Sequence, residues 1–368
     1  MDNSSEVEKK AVGLALSGGG VRAASFHAGV LRYLAEQGLL ENVVHVSSVS
    51  GGTLFIGMVF RLAEYQWPGS RTYLDDVFSR FRHILTTLSL QNSFWAQFSN
   101  PSNWRDVLGR VHVLAQGIEA LWDIKALFSK LGNFPAWSVN CTTAETGRRF
   151  RFKNIKYDMG DYELGYADAG NFSLAKVMAV SSAFPGAVGP LTIKAKDFEW
   201  KKREKWKEGE YKTHRLRFKY VHLYDGGVYD NLGIEPMFDV GTQELKKDDD
   251  LRQNVNYLIV SNGGSLLTRQ DISRSLNPSR FWRLFDIILD QNQSIRRRSF
   301  TNFLYHAPTS GAYVRIGIPP KLSGENWLSP GEVDTAAKYG TNLSRMSEKM
   351  FDLIARHGYE TTKWNMEK

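Results

Sequence analysis

The stretch over residues 13–53, GLALSGGGVRAASFHAGVLRYLAEQGLLENVVHVSSVSGGT, constrains the chain more than any other. It reads as strand, glycine turn, helix, strand, sharp turn, helix. Residues 12–16 form an apolar run of the length of a buried strand. Gly18, Gly19 and Gly20 then let the backbone turn tightly and bring its N–H groups close to a ligand. Residues 22–37 carry Phe26, Val30, Leu31 and Leu34 at helical spacing, with Gly38 as the C-terminal stop. A second strand over 43–46 runs into Ser48-Val49-Ser50-Gly51-Gly52, and a helix is predicted from Thr53 to about 61. A serine on a tight strand-to-helix turn has the arrangement of a nucleophile elbow, and Gly51 and Gly52 are the small residues that such a turn needs. The helix behind it points a positive dipole end at the serine.

Ser50 is therefore the candidate nucleophile, and a serine hydroxyl needs a base. In the usual triad the base is histidine. None of the eight histidines sits in a short glycine-rich loop, and His27 and His45 fall inside predicted regular elements, where they read as structural. Leu223-Tyr224-Asp225-Gly226-Gly227 offers a better base. Asp225 ends an apolar strand and precedes two glycines that permit close approach of another backbone; strand ends are where open α/β sheets collect active-site groups. In isolation Asp-Gly reads as an ordinary turn; its company changes that reading. The third part is the glycine turn, whose amides suit an oxyanion formed in acyl transfer. Arg22 either orients that loop or holds an anionic head group.

The formal net charge of +8 suits an anionic partner, a lipid surface or a nucleic acid. No zinc-ligand spacing and no base-reading motif is present, so a nucleic acid polymer is not expected. No calcium-loop pattern occurs either, and no metal or cofactor is expected. The basic clusters at 201–207 and 296–298 read first as solvated faces. No run approaches the ~18 apolar residues of a membrane span, and the polar N-terminus lacks a secretory h-region. The single cysteine, Cys141, lies in a strand-like segment and reads as a small core residue in a reducing, cytoplasmic setting.

Further along, residues 72–88 read as helix, 90–103 as an aromatic loop, and 104–131 as a long amphipathic helix broken near Gly117. Strands are predicted over 137–142 and 148–152, a short helix over 174–182, and strands over 191–199 and 214–224 around a protruding charged segment, KKREKWKEGE. A buried strand over 255–261, a long basic helix over 281–304, a strand over 312–318 and one C-terminal helix over 334–357 complete the chain. Alternating strands and helices predict a three-layer α/β/α sandwich with a mostly parallel central sheet. We read residues 1–368 as one catalytic domain: a core over 12–265, a helical insertion at about 68–134, and an extension over 266–368.

Taken together, Ser17-Gly18-Gly19-Gly20-Val21-Arg22, Ser48-Val49-Ser50-Gly51-Gly52, Ser181-Ser182-Ala183-Phe184-Pro185 and Asp225-Gly226-Gly227 resemble the patatin-like phospholipases and the related cytosolic phospholipase A2 catalytic domain. The resemblance implies a serine–aspartate dyad without histidine. Ser50 attacks an ester carbonyl, Asp225 takes its proton, the amides of Gly18 to Gly20 with Gly51 hold the oxyanion, and a fatty acyl-enzyme is hydrolysed by water. It also implies a phospholipid or other fatty acyl ester as substrate and a peripheral position on the membrane. This sequence departs from the family twice. Ser48 stands where GxSxG has its first glycine, and Ala23 follows the loop arginine, a register closer to the cytosolic phospholipase A2 branch.

Other readings compete. Gly18-Gly19-Gly20-Val21-Arg22-Ala23 formally fits a dinucleotide-binding turn, but the second strand runs into Ser47 and Ser48 instead of the acid that would bind ribose. A catalytically idle lipid-binding module keeps the fold without the activity. On a further branch the protein is a bacterial defence effector phospholipase, with a cyclic nucleotide as small anionic activator at 201–207 or 296–298. For membrane contact, 94–104 and 281–304 are the two candidate segments; the first would form part of a lid, and both read first as helical structure packed on the core.

Overall fold

The computed structural model describes residues 10–98, 110–205, 208–248, 250–264, 267, 271–272, 277, 279–319 and 326–367. The chain opens with β1 (Val12–Leu16), α1 (Gly20–Glu36), β2 (Val43–Ser48) and α2 (Gly51–Leu62). A helical segment follows: α3 (Ser70–Thr72), a π turn (Tyr73–Val77), α4 (Phe78–Thr87), α5 (Leu90–Phe98) and α6 (Arg110–Leu121). Then come β3 (Ala136–Thr143), β4 (Arg149–Lys153), β5 (Asp158–Asp161), β6 (Gly165–Asp168), α7 (Leu174–Ser181), β7 (Leu191–Lys194), the hairpin β8 (Trp200–Lys205) and β9 (Glu208–His214), and β10 (Tyr220–Asp225). The last part holds α8 (Gly227–Asp230), a small ribbon of β11 (Phe238–Asp239) and β12 (Glu244–Leu245), β13 (Tyr257–Asn262), α9 (Ser279–His306), β14 (Gly311–Arg315), α10 (Pro330–Lys338) and α11 (Glu348–Met366).

Among the described residues one twelve-stranded sheet runs β14-β13-β1-β2-β3-β4-β5-β6-β8-β9, with β10 on β3 and β7 on β10. The five strands from β14 to β3 are parallel. Beyond β3 every pairing is antiparallel, so the parallel character belongs to the centre of the sheet. Side chains alternate across a strand, and here they feed two cores. Val12, Leu14 and Leu16 of β1 join the large core with α1, α2, α7 and α11. Ala15 of β1 joins Leu258 and Val260 of β13 in a second core closed by Ile234, Phe238 and Phe300. Two apolar cores on opposite faces of one sheet make the three-layer sandwich.

The helical segment differs from its reading in two ways. Residues 90–98 are helix, not loop, and the remainder of the aromatic segment lies outside the described residues. Gly117 sits within α6, which ends at Leu121; Asp123 follows with φ 51°, a left-handed conformation that stops a helix. Residues 104–109 of that pattern are again outside the described residues. At the C-terminus two helices replace the one predicted. Ser329 and Glu332 form a capping box that starts α10 early, and Ser347 accepts from the Met350 amide to start α11 afresh. The turn between them, 339–347, is used at the site described next.

Candidate active site

One edge of β3 places the two central residues. β2 lies parallel along Ala136 to Val139, and β10 lies antiparallel along Cys141 to Thr143. Both strands thus use the same edge, run toward each other, and stop on either side of Asn140. Ser50 lies just past the end of β2, and Asp225 is the last residue of β10. Residues far apart in sequence are brought face to face by one strand register.

Ser50 has φ 49° and ψ −117°, a conformation that side chains rarely adopt. The turn is tight because β1 ends beneath it: the Val49 amide donates to the Leu16 carbonyl at 3.1 Å, and the Gly52 amide donates to the Val49 carbonyl at 2.9 Å. A Cβ on Gly51 would lie 2.3 Å from the Gly20 carbonyl oxygen, and one on Gly52 would lie 2.6 Å from that of Leu16. Both contacts are with backbone that cannot give way, so the two glycines are the condition for packing this turn on the other.

Asp225 is 3% exposed. Its backbone amide donates to the Ala183 carbonyl at 3.1 Å, and its carbonyl accepts from the Thr142 hydroxyl at 2.9 Å. The carboxylate accepts from the Gly227 amide at 2.7 Å, an Asx-type turn that aims the side chain. Burial raises its pKa to about 7; hydrogen bonds from the Gly227 amide and the Ser50 hydroxyl hold it from rising further. Gly226 is required here, since a Cβ would lie 2.4 Å from the Asn140 carbonyl oxygen.

The glycine turn faces this pair. Gly19 has φ 139° and Gly20 φ 60°. The amides of Gly19, Gly20 and Gly51 make no hydrogen bond among the described residues. Gly18 differs from the expectation for it. Its amide donates to the Asn231 carbonyl at 3.1 Å, and what it supplies is room: a Cβ would lie 2.4 Å from Asn231 Oδ1 and 3.1 Å from Ser50 Cβ. Of the two roles for Arg22, the structure carries the first. The guanidinium is buried and donates to the carbonyls of Gly263 at 3.1 Å and Tyr339 at 2.5 Å and to the Thr341 hydroxyl at 3.2 Å. It ties the glycine turn to β13 and to the 339–347 turn, whose Asn342 carbonyl accepts from the Val21 amide. A head group cannot reach a side chain so enclosed.

No hydrogen bond of Ser50 or Asp225 goes to a histidine among the described residues. His27 bridges the Ser261 hydroxyl (2.7 Å) and the Ser17 carbonyl (3.0 Å), and burial lowers its pKa to about 4. His45 meets Ser138, with burial lowering it to about 3. Both are neutral core residues, as read. Cys141 is buried, and burial and the Asp225 carboxylate push its thiol up, away from reactivity. Of the 296–298 cluster, Arg296 reaches Glu235 at 3.2 Å and Asp230 at 3.5 Å, Arg297 donates to Ser294, and Arg298 is exposed. The 201–207 cluster lies in the β8–β9 hairpin, apart from 206–207, which are outside the described residues.

Sequence reasoning missed Asn140, Ser181 and Asn231. The segment Ser181-Ser182-Ala183-Phe184-Pro185 entered only as one of the four motifs of the resemblance, with no role for any of its residues. Its deeper use is that the Ser181 hydroxyl accepts from the Ser50 amide at 3.1 Å while the Ala183 carbonyl anchors Asp225.

The model of the family described as patatin-like phospholipase matches residues 14–238, more than half of the chain. Human GIVD cytosolic phospholipase A2 is similar in structure, with a TM-score of 0.53 at 12% identity over 98% of this chain and 61% of that one. The same human enzyme in complex with methyl gamma-linolenyl fluorophosphonate inhibitor and terbium chloride gives 0.54 at 14% identity, over 100% of this chain and 59% of that one. This chain spans about three fifths of the length of those structures, and at such identities the likeness is one of fold. No curated protein matches the sequence.

Proposed function

This chain belongs to the patatin-like phospholipase family, and on that footing we propose that it is a serine acyl hydrolase that cleaves fatty acyl esters of membrane phospholipids with Ser50 and Asp225 as its dyad. The observation that carries the reading is Ser50 on its strained turn beside a buried Asp225 whose pKa lies near 7. A base with that pKa is half ionised at neutral pH, suited both to take a proton and to return it.

In the proposed cycle the Asp225 carboxylate accepts the Ser50 proton as Oγ attacks the acyl carbonyl. The open amides of Gly19, Gly20 and Gly51 receive the negative oxygen; the engaged amide of Gly18 does not take part. Collapse expels the alcohol, which leaves with the proton held by Asp225. The carboxylate then activates water, which attacks the acyl-enzyme, releases the fatty acid and restores Ser50.

The same reading places the protein at a membrane surface, and α9 supports this. The helix packs on the second core through Phe300, as expected, but its outer side exposes Phe281 (67%), Leu284 (59%), Ile288 (64%), Ile295 (54%) and Tyr305 (82%). The spacing of three, four, seven and ten residues keeps them on one stripe. The stripe carries no acid, and exposed Arg280 and Arg298 flank it, which suits an anionic bilayer. Pairing of two copies through this face would bury Arg298 opposite no carboxylate, whereas at a membrane its long stem lets the charge reach the head groups. The inner side of α9 touches the site: Gln293 meets Asn231, and Phe285 packs on Phe184. We also read the whole chain as one catalytic unit, since β14 extends the sheet and α11 packs in the same core as α1.

Hydrolysis of a phospholipid panel by wild type, Ser50→Ala and Asp225→Ala tests the reading. Wild type is expected to release fatty acid and both variants to lose that activity. Activity surviving in Ser50→Ala, or a fluorophosphonate attached to another residue, overturns it; a wild type that binds vesicles without hydrolysis favours the idle module.

A further inference from the structure

Ser48 stands where the family's elbow has glycine, and the structure gives that departure a use. The Trp137 indole N–H donates to Ser48 Oγ at 2.9 Å. Ser48 Oγ lies 2.8 Å from Thr53 Oγ1, and Thr53 Oγ1 lies 2.9 Å from Ser181 Oγ. The Ser181 hydroxyl donates to the Asn140 carbonyl at 2.8 Å and accepts from the Ser50 amide at 3.1 Å. Ser48, Thr53, Ser181, Trp137 and Asn140 are all buried.

The ends of this series fix its direction. An indole N–H only donates, and a backbone carbonyl only accepts. Each hydroxyl has one proton. Ser181 must give its proton to Asn140, so it accepts from Thr53; Thr53 therefore accepts from Ser48, and Ser48 accepts from Trp137. Every group in the series is then satisfied, and no other assignment of the three protons does this. The side chain of Asn140 closes the loop. Its Nδ2 donates to Ser47 Oγ and to the Ser48 carbonyl, each at 2.9 Å, while Arg149 holds its Oδ1 at 3.1 Å.

We infer that Ser48, Thr53 and Ser181 are positioning residues: a one-way hydroxyl chain that locks the end of β2, the start of α2 and the end of α7 to β3, and so holds the strained Ser50 amide in place. The inference rests on the dyad reading above and adds residues to it. A glycine at 48 would remove the first two links and leave the Trp137 N–H and the Thr53 hydroxyl short of a partner. Here the elbow is set by side chains as well as by its glycines.

Thr53→Val is the sharpest probe, because it keeps the shape and removes the hydroxyl. On a soluble short-chain ester kcat is expected to fall by about tenfold or more, since displacement of a reacting group by about 1 Å costs up to ~100-fold. KM should stay within about twofold, and fluorophosphonate modification of Ser50 should slow by the same factor as kcat. Thr53→Ser should restore kcat to within about threefold of wild type. Combining Ser48→Ala with Thr53→Val should cost little more than the worse single change, because one break releases the chain. Circular dichroism checks that each variant is folded; should Thr53→Val not fold, Ser48→Gly takes its place with the same expectations. Folded Thr53→Val or Ser48→Gly with wild-type kcat and labelling rate would overturn the inference alone. A wild type that neither hydrolyses esters nor labels at Ser50 would overturn the dyad, and this inference with it.

Discussion

The elbow around Ser50 and the outer side of α9 are built on opposite terms. At the elbow, Ser47, Ser48, Thr53, Asn140 and Ser181 are buried and hydrogen-bonded to one another or to nearby backbone. On α9, Phe281, Leu284 and Ile288 stand in solvent although the helix has an inner face to pack. A buried polar network holds only when complete, and then it specifies one geometry. An exposed apolar stripe specifies no atom position and presents area. The contrast divides the proposed work: one region fixes the reacting atoms, and the other meets the substrate's phase.

The largest effect that would break the division is a pH response. If Asp225 is the base, only its carboxylate form is active. With the pKa raised to about 7 by burial, kcat/KM should fall about tenfold per pH unit below neutrality, approaching a thousandfold by about pH 4. The measurement is a pH–rate profile on a soluble ester, with circular dichroism to confirm folding at each pH. A profile flat down to pH 5 would remove Asp225 from the role, and with it the contrast between the two regions.

A smaller effect separates the regions by substrate. Leu284→Glu with Ile288→Glu puts two negative charges in the middle of the α9 stripe and alters nothing at the elbow. Hydrolysis of anionic vesicles should fall by about tenfold or more, while hydrolysis of a soluble ester stays within about twofold of wild type. Vesicle sedimentation should lose binding in parallel. Equal loss on both substrates would mean that the helix supports the site through its inner contacts, Gln293 to Asn231 among them, and not through the lipid.

How much of this was legible in the sequence follows from the kind of signal each part leaves. Strand, glycine turn, helix and elbow could be read because Gly18 to Gly20 and Gly51-Gly52 are local demands of backbone geometry. Asp225 was legible at the end of an apolar strand, but its pairing with Ser50 depends on β2 and β10 sharing one edge of β3, a register that no local pattern carries. Arg22 stood out as a residue, yet its partners Gly263, Tyr339 and Thr341 come from distant parts of the chain. The α9 period was visible; which side faces out depends on Phe300 packing against Phe238, a tertiary contact. The division at 339–347 was missed because helical spacing over 334–357 outweighed the caps at Ser329 and Ser347. Ser181 was invisible as a site residue, since one serine at a helix end resembles any other.

The smallest expected effect concerns stability and places the cost of the elbow on one residue. In the folded chain burial raises the pKa of Asp225 to about 7, against an ordinary value of 3.8. Between those values the folded state holds a proton that the unfolded chain has released. The unfolded state then binds fewer protons, so the contribution of Asp225 to stability falls as pH rises from about 4 to 7 and is lost above 7. At about 1.4 kcal/mol per pKa unit this amounts to roughly 4 kcal/mol at pH 8. Asp225→Asn keeps an oxygen for the Gly227 amide and cannot ionise. Its melting temperature should match that of wild type near pH 4 and exceed it by several degrees at pH 8, while ester hydrolysis is abolished. A difference in melting temperature that does not change with pH would mean that Asp225 is not held near neutrality by burial, and the pH–rate profile would then need another base.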